Sequence, residues 1–140
     1  MIRRFTNTDI DKVADIWLDT NIKAHSFIPA EYWQNHFELV KEMFMQAEIY
    51  VYEDADRILG FIGMDNNYIA GIFVCSDVQS KGVGKQLLDY VKTIKPELSL
   101  NVYKKNVRAV QFYQREAFSI LSESIDEDTN EIEYKMIWKK

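Results

Sequence analysis

The sequence predicts an α+β fold, on three observations. Strand-like alternation of apolar residues fills the middle of the chain, and apolar residues at helical spacing flank it on both sides. Between them, an apolar strand at Tyr68–Val74 runs through a polar loop into Gly82-Val83-Gly84 and straight on into an amphipathic helix.

Residues 2–5 read as a short first strand, closed by Thr6-Asn7. Thr8 is expected to cap a first helix in which Asp11 completes a capping box and Ile10, Val13, Ile16 and Trp17 share one face. The polar run Asp19-Thr20-Asn21 weakens that helix. Pro29 is expected at the first position of a second helix, where its missing N–H costs nothing, with Trp33, Phe37, Val40 and Phe44 as the buried stripe. Ile49 and Val51 mark a second strand, Asp54-Ala55-Asp56 a turn, residues 57–64 a third strand, and Asp65-Asn66-Asn67 a hairpin turn, since Asn tolerates the left-handed conformation. Strands two, three and four should form a meander. In strand four both alternating sets are apolar, with Ala70, Ile72 and Val74 on one side and Ile69, Phe73 and Cys75 on the other, which predicts a central strand covered on both faces. Gly71 inside it marks a bulge or a close approach.

The third helix is expected to bury Val83, Leu87, Leu88, Val91 and Ile94, and Pro96 follows it. Leu98, Leu100 and Val102 form one side of a fifth strand. Asn106 opens a fourth helix, Ala117-Phe118 ends it, and residues 119–124 pair with 131–138 across the acidic loop 126–130. With no internal repeat or linker, residues 1–140 read as one domain.

Hydrophobic residues make up 47% of the chain, enough to predict a folded core rather than disorder. No apolar run approaches a membrane span and no signal-peptide core follows Met1, so the expectation is a cytoplasmic protein without a membrane partner. A net charge of -5 argues against nonspecific nucleic-acid binding, which needs Lys and Arg to neutralise phosphates, and suits a cationic acceptor. The single cysteine, Cys75, excludes an internal disulfide framework and a cysteine-rich zinc site. It reads as a small buried filler, and no metal site is expected.

A helix that opens on glycines leaves backbone N–H groups unpaired at the positive end of its dipole, where a diphosphate can sit with little side-chain help. The spacing is neither that of a nucleotide triphosphate loop nor Gly-x-Gly-x-x-Gly, because position 87 is Leu. A lone Gly-x-Gly is as often a plain turn. Here the order continues: Gln79-x-x-Gly82-x-Gly84, helix, strand, Asn106, and a helix carrying Phe112-Tyr113, with Asn106, Ala109, Val110 and Tyr113 on one face.

In these motifs the whole chain resembles the GNAT family of acetyl-coenzyme A dependent N-acetyltransferases. The resemblance implies about four helices around a mixed sheet whose parallel strands four and five splay apart around acetyl-coenzyme A. It implies cofactor contacts from Phe73, Val74, Gln79, Ser80, Lys81, Gly82, Val83, Gly84, Lys85 and Asn106. Tyr113, whose phenol has a reference pKa of about 10, would protonate the departing sulfur. Backbone N–H groups near Phe73 and Val74 would polarise the thioester carbonyl, because splaying frees ladder groups there. Taken singly, Asn106 reads equally as a helix cap and Tyr113 as a half-buried core residue.

The expected reaction is direct attack by a primary amine in a ternary complex, without acylation of Cys75. His25, Phe27 and Tyr32 would line the acceptor wall, and His25, Glu31 and Asp65 are the candidate bases. The segments around Trp17, His25 to Trp33, Asn101 and Tyr113 look like the YiaC-like bacterial branch, described as protein lysine acetyltransferases. Departures from the family pattern are Ser76 where many members have Pro, and Ser80 and Ala117 where Gly is usual. A small-molecule amine acetyltransferase and a noncatalytic acyl-coenzyme A module remain as alternatives, as do monomer and homodimer. Asp126, Glu127, Asp128, Glu131 and Glu133 either recruit a lysine-rich acceptor or form a solvated face.

Overall fold

The computed structural model describes residues 1–140. Its first strand, β1 (Ile2–Arg4), leads through a short 3-10 turn at Asn7–Asp9 into α1 (Ile10–Ala24) and α2 (Ala30–Phe44). A meander of β2 (Glu48–Asp54), β3 (Arg57–Asp65) and β4 (Tyr68–Val74) follows, as expected, then α3 (Val83–Ile94), β5 (Glu97–Tyr103), α4 (Val107–Arg115), β6 (Ser119–Asp126) and β7 (Glu131–Lys139). The seven strands form one sheet in the order β1-β2-β3-β4-β5-β7-β6, antiparallel except between β4 and β5. No helix is long and apolar enough to cross a membrane.

Two tight turns fix the meander. Ala55 and Asp56 adopt φ of 49° and 63°, and Asn66 adopts 55°, the positive values that match a hairpin turn to the strands' twist. The helices cover both faces of the sheet. On one, α3 and α4 pack Leu87, Leu88, Val91 and Val110 against Ile62, Leu98 and Leu100; on the other, α1 and α2 pack Val13, Ile16, Trp17 and Trp33 against Ile49, Val51 and Phe61.

Several expectations need correction. The capping box belongs to Thr6 and Asp9 at the 3-10 turn before α1, not to Thr8 and Asp11: the Thr6 N–H donates to Asp9 Oδ2 at 2.8 Å, and the same carboxylate pairs with Arg3 at 2.9 Å. The run Asp19-Thr20-Asn21 does not weaken α1, because the Thr20 hydroxyl donates to the Ile16 carbonyl at 2.7 Å and the Asn21 amide to the Trp17 carbonyl at 2.8 Å. Both polar groups are thereby satisfied while buried. Pro29 is the cap of α2 rather than its first residue, accepting the Tyr32 N–H at 3.0 Å. Ile94 lies on the exposed side of α3.

The fourth strand departs most. Gly63 pairs with Gly71 but Met64 pairs with Ile69, leaving Ala70 as the extra residue of a bulge. One extra residue flips the pleat, so Ile69 joins Ile72 and Val74 on the α3 side and parts from Phe73 and Cys75. The strand is central, yet Ile72, Phe73 and Val74 are only half-buried and Ala70 is exposed. The cause is the neighbouring strand. β4 and β5 pair only at Tyr68 with Ser99 and Ile69 with Leu100, and then part.

Candidate active site

Beyond Ile69 the two parallel strands no longer bond to each other, and a cleft of about 780 Å3 opens along Ile72, Phe73 and Val74 on one wall and Asn106, Phe112 and Tyr113 on the other. Antiparallel ladders turn successive N–H groups to opposite sides. The Cys75 N–H donates to the Leu59 carbonyl at 2.9 Å, and the same register turns the Phe73 N–H towards β3 as well. Ile72 and Val74 therefore present their backbone groups to the cleft, so of the two donors expected at Phe73 and Val74 the second faces the cleft and Ile72 takes the place of the first. The Val74 carbonyl is already taken by Gln79 Nε2 at 3.1 Å.

The far end of the cleft is the entrance to α3. Gly82 caps that helix at φ 87°, a conformation an L side chain adopts only with strain, and its carbonyl accepts the Gln86 N–H at 3.0 Å. No protein group accepts the N–H of Val83, Gly84 or Lys85. The cap carries no side chain to cover them. These are the free donors a pyrophosphate needs, so the residues present fit the coenzyme expected from the sequence. Ser80 holds φ at 67°, which explains why glycine suits that position. Lys85 is committed to Asp89 and Glu116, at 3.1 and 3.0 Å, and Lys81 is exposed and does not line the cleft.

A cation missed in the sequence completes this end. Arg108 donates to Gln79 Oε1 at 3.1 Å and to Ser80 Oγ at 2.6 Å, so α4 is tied to the loop that feeds α3. Lys105 and Arg115 line the cleft beside it. A signal existed: cations in and just before the first turn of α4 oppose the helix dipole, which makes them anomalous unless an anion binds nearby.

Tyr113 is 8% exposed, yet it lines the cleft. Its place is set by the end of α4, where the Phe118 N–H returns to the Tyr113 carbonyl at 2.9 Å and the Ala117 N–H to the Gln114 carbonyl at 3.2 Å. The rings of Phe112 and Phe118 meet its ring edge-on at 5.3 and 5.6 Å. Burial pushes the Tyr113 phenol well above the ordinary tyrosine value, with Tyr68 adding to the rise, so it remains a proton donor throughout the physiological range.

Asn106 caps α4, its Oδ1 accepting the Ala109 N–H at 3.3 Å, and its Nδ2 lies 3.3 Å from His25 Nε2. His25 lines the cleft but packs among the rings of Phe27, Trp33 and Tyr103. Burial holds its imidazole down to about 4. Phe27 and Tyr32 do not line the main cleft with it. They form an adjoining cavity of about 350 Å3 with Glu31, Asp128 and Thr129. Asp65 sits exposed at the end of β3, outside both spaces, and Cys75 lies outside the cleft with Sγ directed at the Ile58 carbonyl.

A seven-stranded sheet split between its parallel neighbours, with free amides at the following helix, is the arrangement the resemblance to GNAT acetyltransferases leads one to expect. The family model described as an acetyltransferase (GNAT) domain matches residues 19–134, and the chain belongs to that family. It is 32% identical over 140 residues to the peptidyl-lysine N-acetyltransferase YiaC of Escherichia coli (strain K12), covering 99% of this chain and 96% of that one. The peptidyl-lysine N-acetyltransferase YjaB of Salmonella typhimurium is 30% identical over 91% of this chain and 88% of its own. Among solved structures, apo YjaB from Escherichia coli superposes with a TM-score of 0.88 at 26% identity, over 99% of this chain and 96% of that one. The PaiA N-acetyltransferase of Thermoplasma acidophilum in complex with coenzyme A gives 0.87 at 17% identity, over 100% and 98%, a likeness of fold. The protein is an acetyl-coenzyme A dependent N-acetyltransferase.

Proposed function

We propose that the acceptor is a lysine side chain of a protein, and that Tyr113 is the general acid of the transfer. The observation that carries the mechanism is the buried phenol on one wall of the splayed cleft, opposite the free backbone N–H groups of Ile72 and Val74. The neutral amine attacks the thioester carbonyl carbon, forming the C–N bond, and the Ile72 and Val74 N–H groups receive the developing oxyanion. The C–S bond then breaks, the Tyr113 O–H proton passes to the sulfur, the attacking nitrogen gives its proton to water, and water returns a proton to the Tyr113 phenolate.

The lysine acceptor is supported by the two curated relatives named as peptidyl-lysine acetyltransferases. The cavity beside the cleft adds physical support, since the carboxylates of Glu31 and Asp128 stand there with the Tyr32 ring. Burial and the charges of Asp126 and Asp128 push the Tyr32 phenol up, a sign of the negative field a cationic side chain would meet.

Thiol release from acetyl-coenzyme A with lysine peptides, compared with small polyamines, tests the acceptor. Faster turnover with peptides is expected; turnover with small amines alone would overturn the lysine reading. In the same assay Tyr113→Phe should lower kcat by about 10²-fold or more, the usual contribution of a general acid, with coenzyme affinity preserved. Near-normal kcat would remove Tyr113 from the mechanism.

A further inference from the structure

We propose that His25 is a positioning residue for the coenzyme: its neutral imidazole accepts one hydrogen of the Asn106 amide and so holds the second hydrogen of that amide towards the cleft. The proposal rests on the expectation that Asn106 contacts the coenzyme.

The geometry leaves one arrangement of hydrogens. Only the oxygen of the Asn106 carboxamide can accept the Ala109 N–H, so that bond fixes which end of the amide is which. Nδ2 then faces His25 Nε2. A carboxamide nitrogen donates and does not accept, hence Nε2 must carry the lone pair and Nδ1 the ring proton. An imidazolium would set two donors against each other at this contact. Nδ1 is buried and makes no hydrogen bond of good geometry, although the Asn21 backbone one turn back favours a proton on the ring, so the ring keeps its one well-formed bond to Asn106. That choice costs something, because an unmet buried donor is unfavourable. The ring is clamped in place by Trp33, stacked at 5.3 Å, and by the edges of Phe27 and Tyr103 at 5.6 and 5.1 Å.

Two consequences follow for the site. The contact joins residues 81 apart, fastening the connection after α1 to the N-cap of α4, so the acceptor side and the coenzyme side of the cleft are registered through it. His25 also cannot serve as the general base, since its one lone pair is engaged and its other nitrogen is protonated and sealed from solvent.

The test uses the intact chain in two ways. The 15N spectrum of the free protein at neutral pH should show His25 protonated at Nδ1 and bare at Nε2. Separately, His25→Phe keeps the ring packing and removes the acceptor, whereas His25→Gln offers an oxygen near the Nε2 position. For His25→Phe the dissociation constant of acetyl-coenzyme A should rise about tenfold, equivalent to about 1.4 kcal/mol, the scale of one net hydrogen bond. His25→Gln should restore most of that affinity, because it returns an acceptor to the Asn106 amide. The opposite tautomer, unchanged binding by His25→Phe, equal loss in both variants, or a fall in kcat alone would overturn the proposal. Should a variant fail to fold, the wild-type spectrum still decides the tautomer. Wild-type protein that binds coenzyme with no perturbation of the Asn106 side-chain amide would sink the Asn106 contact separately from the His25 tautomer.

Discussion

Arg108 and Ser80 stand 2.6 Å apart, Nη2 to Oγ, a bond that ties the first turn of α4 to the loop entering α3. The same guanidinium holds Gln79, which in turn holds the Val74 carbonyl at the edge of the cleft. In the proposed binding mode the coenzyme's phosphates would meet a cradle already braced from the opposite wall, with a cation at its mouth. Arg108→Ala should raise the dissociation constant of acetyl-coenzyme A about three- to tenfold at low ionic strength, with a smaller difference in high salt, where exposed charges are screened. Calorimetric titration at two salt concentrations checks this, and equal affinity at both would show Arg108 to be a brace only.

Gly84 separates a folding role from a binding role. A Cβ there would meet Phe112 and Val74 at ordinary contact distances of 3.7 Å, so the folded chain has room for it. Alanine also favours helix over glycine by about 1 kcal/mol. Yet that Cβ would project among the residues lining the cleft. Gly84→Ala should raise the melting temperature and weaken acetyl-coenzyme A binding together. A fall in both would mean that the glycine serves the turn and not the ligand.

Ala117 occupies the position after α4 at φ 73°, where glycine avoids a steric penalty of about 1–2 kcal/mol. The hydrogen bonds that close the helix around it are intact. Ala117→Gly should therefore stabilise the protein by about 1 kcal/mol in urea unfolding, once the greater chain entropy of glycine is set against the relieved strain. Because Tyr113 is anchored by the same motif, kcat should be unchanged; a destabilised variant would refute the strain argument.

The His25 imidazole, brought down from 6.5 to about 4 by burial, gives the stability a sign that can be worked out. Between those values the unfolded chain binds a proton that the folded chain does not, so stability falls as pH drops through that window, by up to about 3 kcal/mol. His25→Phe should flatten this part of the profile. Asp9, lowered chiefly by its bond to Arg3, loses its contribution only below its unfolded value of 3.8. Urea unfolding at pH 7.5, 5.5 and 4.5 measures the slope, and an identical slope in the variant would assign it elsewhere.

Much of this arrangement was legible in the residue order. The strand, loop, glycines and helix from Tyr68 to Ile94 and the cap at Asn106 follow from local chemistry, because each is built from neighbours in sequence, whereas the parallel pairing of the fifth strand with the fourth was implied only by the family resemblance. The bulge at Ala70 was announced only by Gly71, and its effect on Ile69 depends on the register with Gly63 and Met64. Thr20 and Asn21 read as helix-weakening polar residues because their bonds to Ile16 and Trp17 are invisible to a propensity argument. The His25 contact with Asn106 and the separation of Phe27 and Tyr32 into their own cavity are tertiary facts, arising where the connection after α1 meets α4 and the β6–β7 loop.

The central claim is that the coenzyme lies in the opening between β4 and β5 with its pyrophosphate on the first amides of α3. A titration of 15N-labelled protein with acetyl-coenzyme A, read at each backbone amide, tests it most directly. The account predicts the largest shifts at Gly82, Val83, Gly84 and Lys85, joined by Ile72 and Val74, with β1 and β6 unmoved. Binding that leaves the α3 entrance unperturbed and shifts amides elsewhere would contradict it.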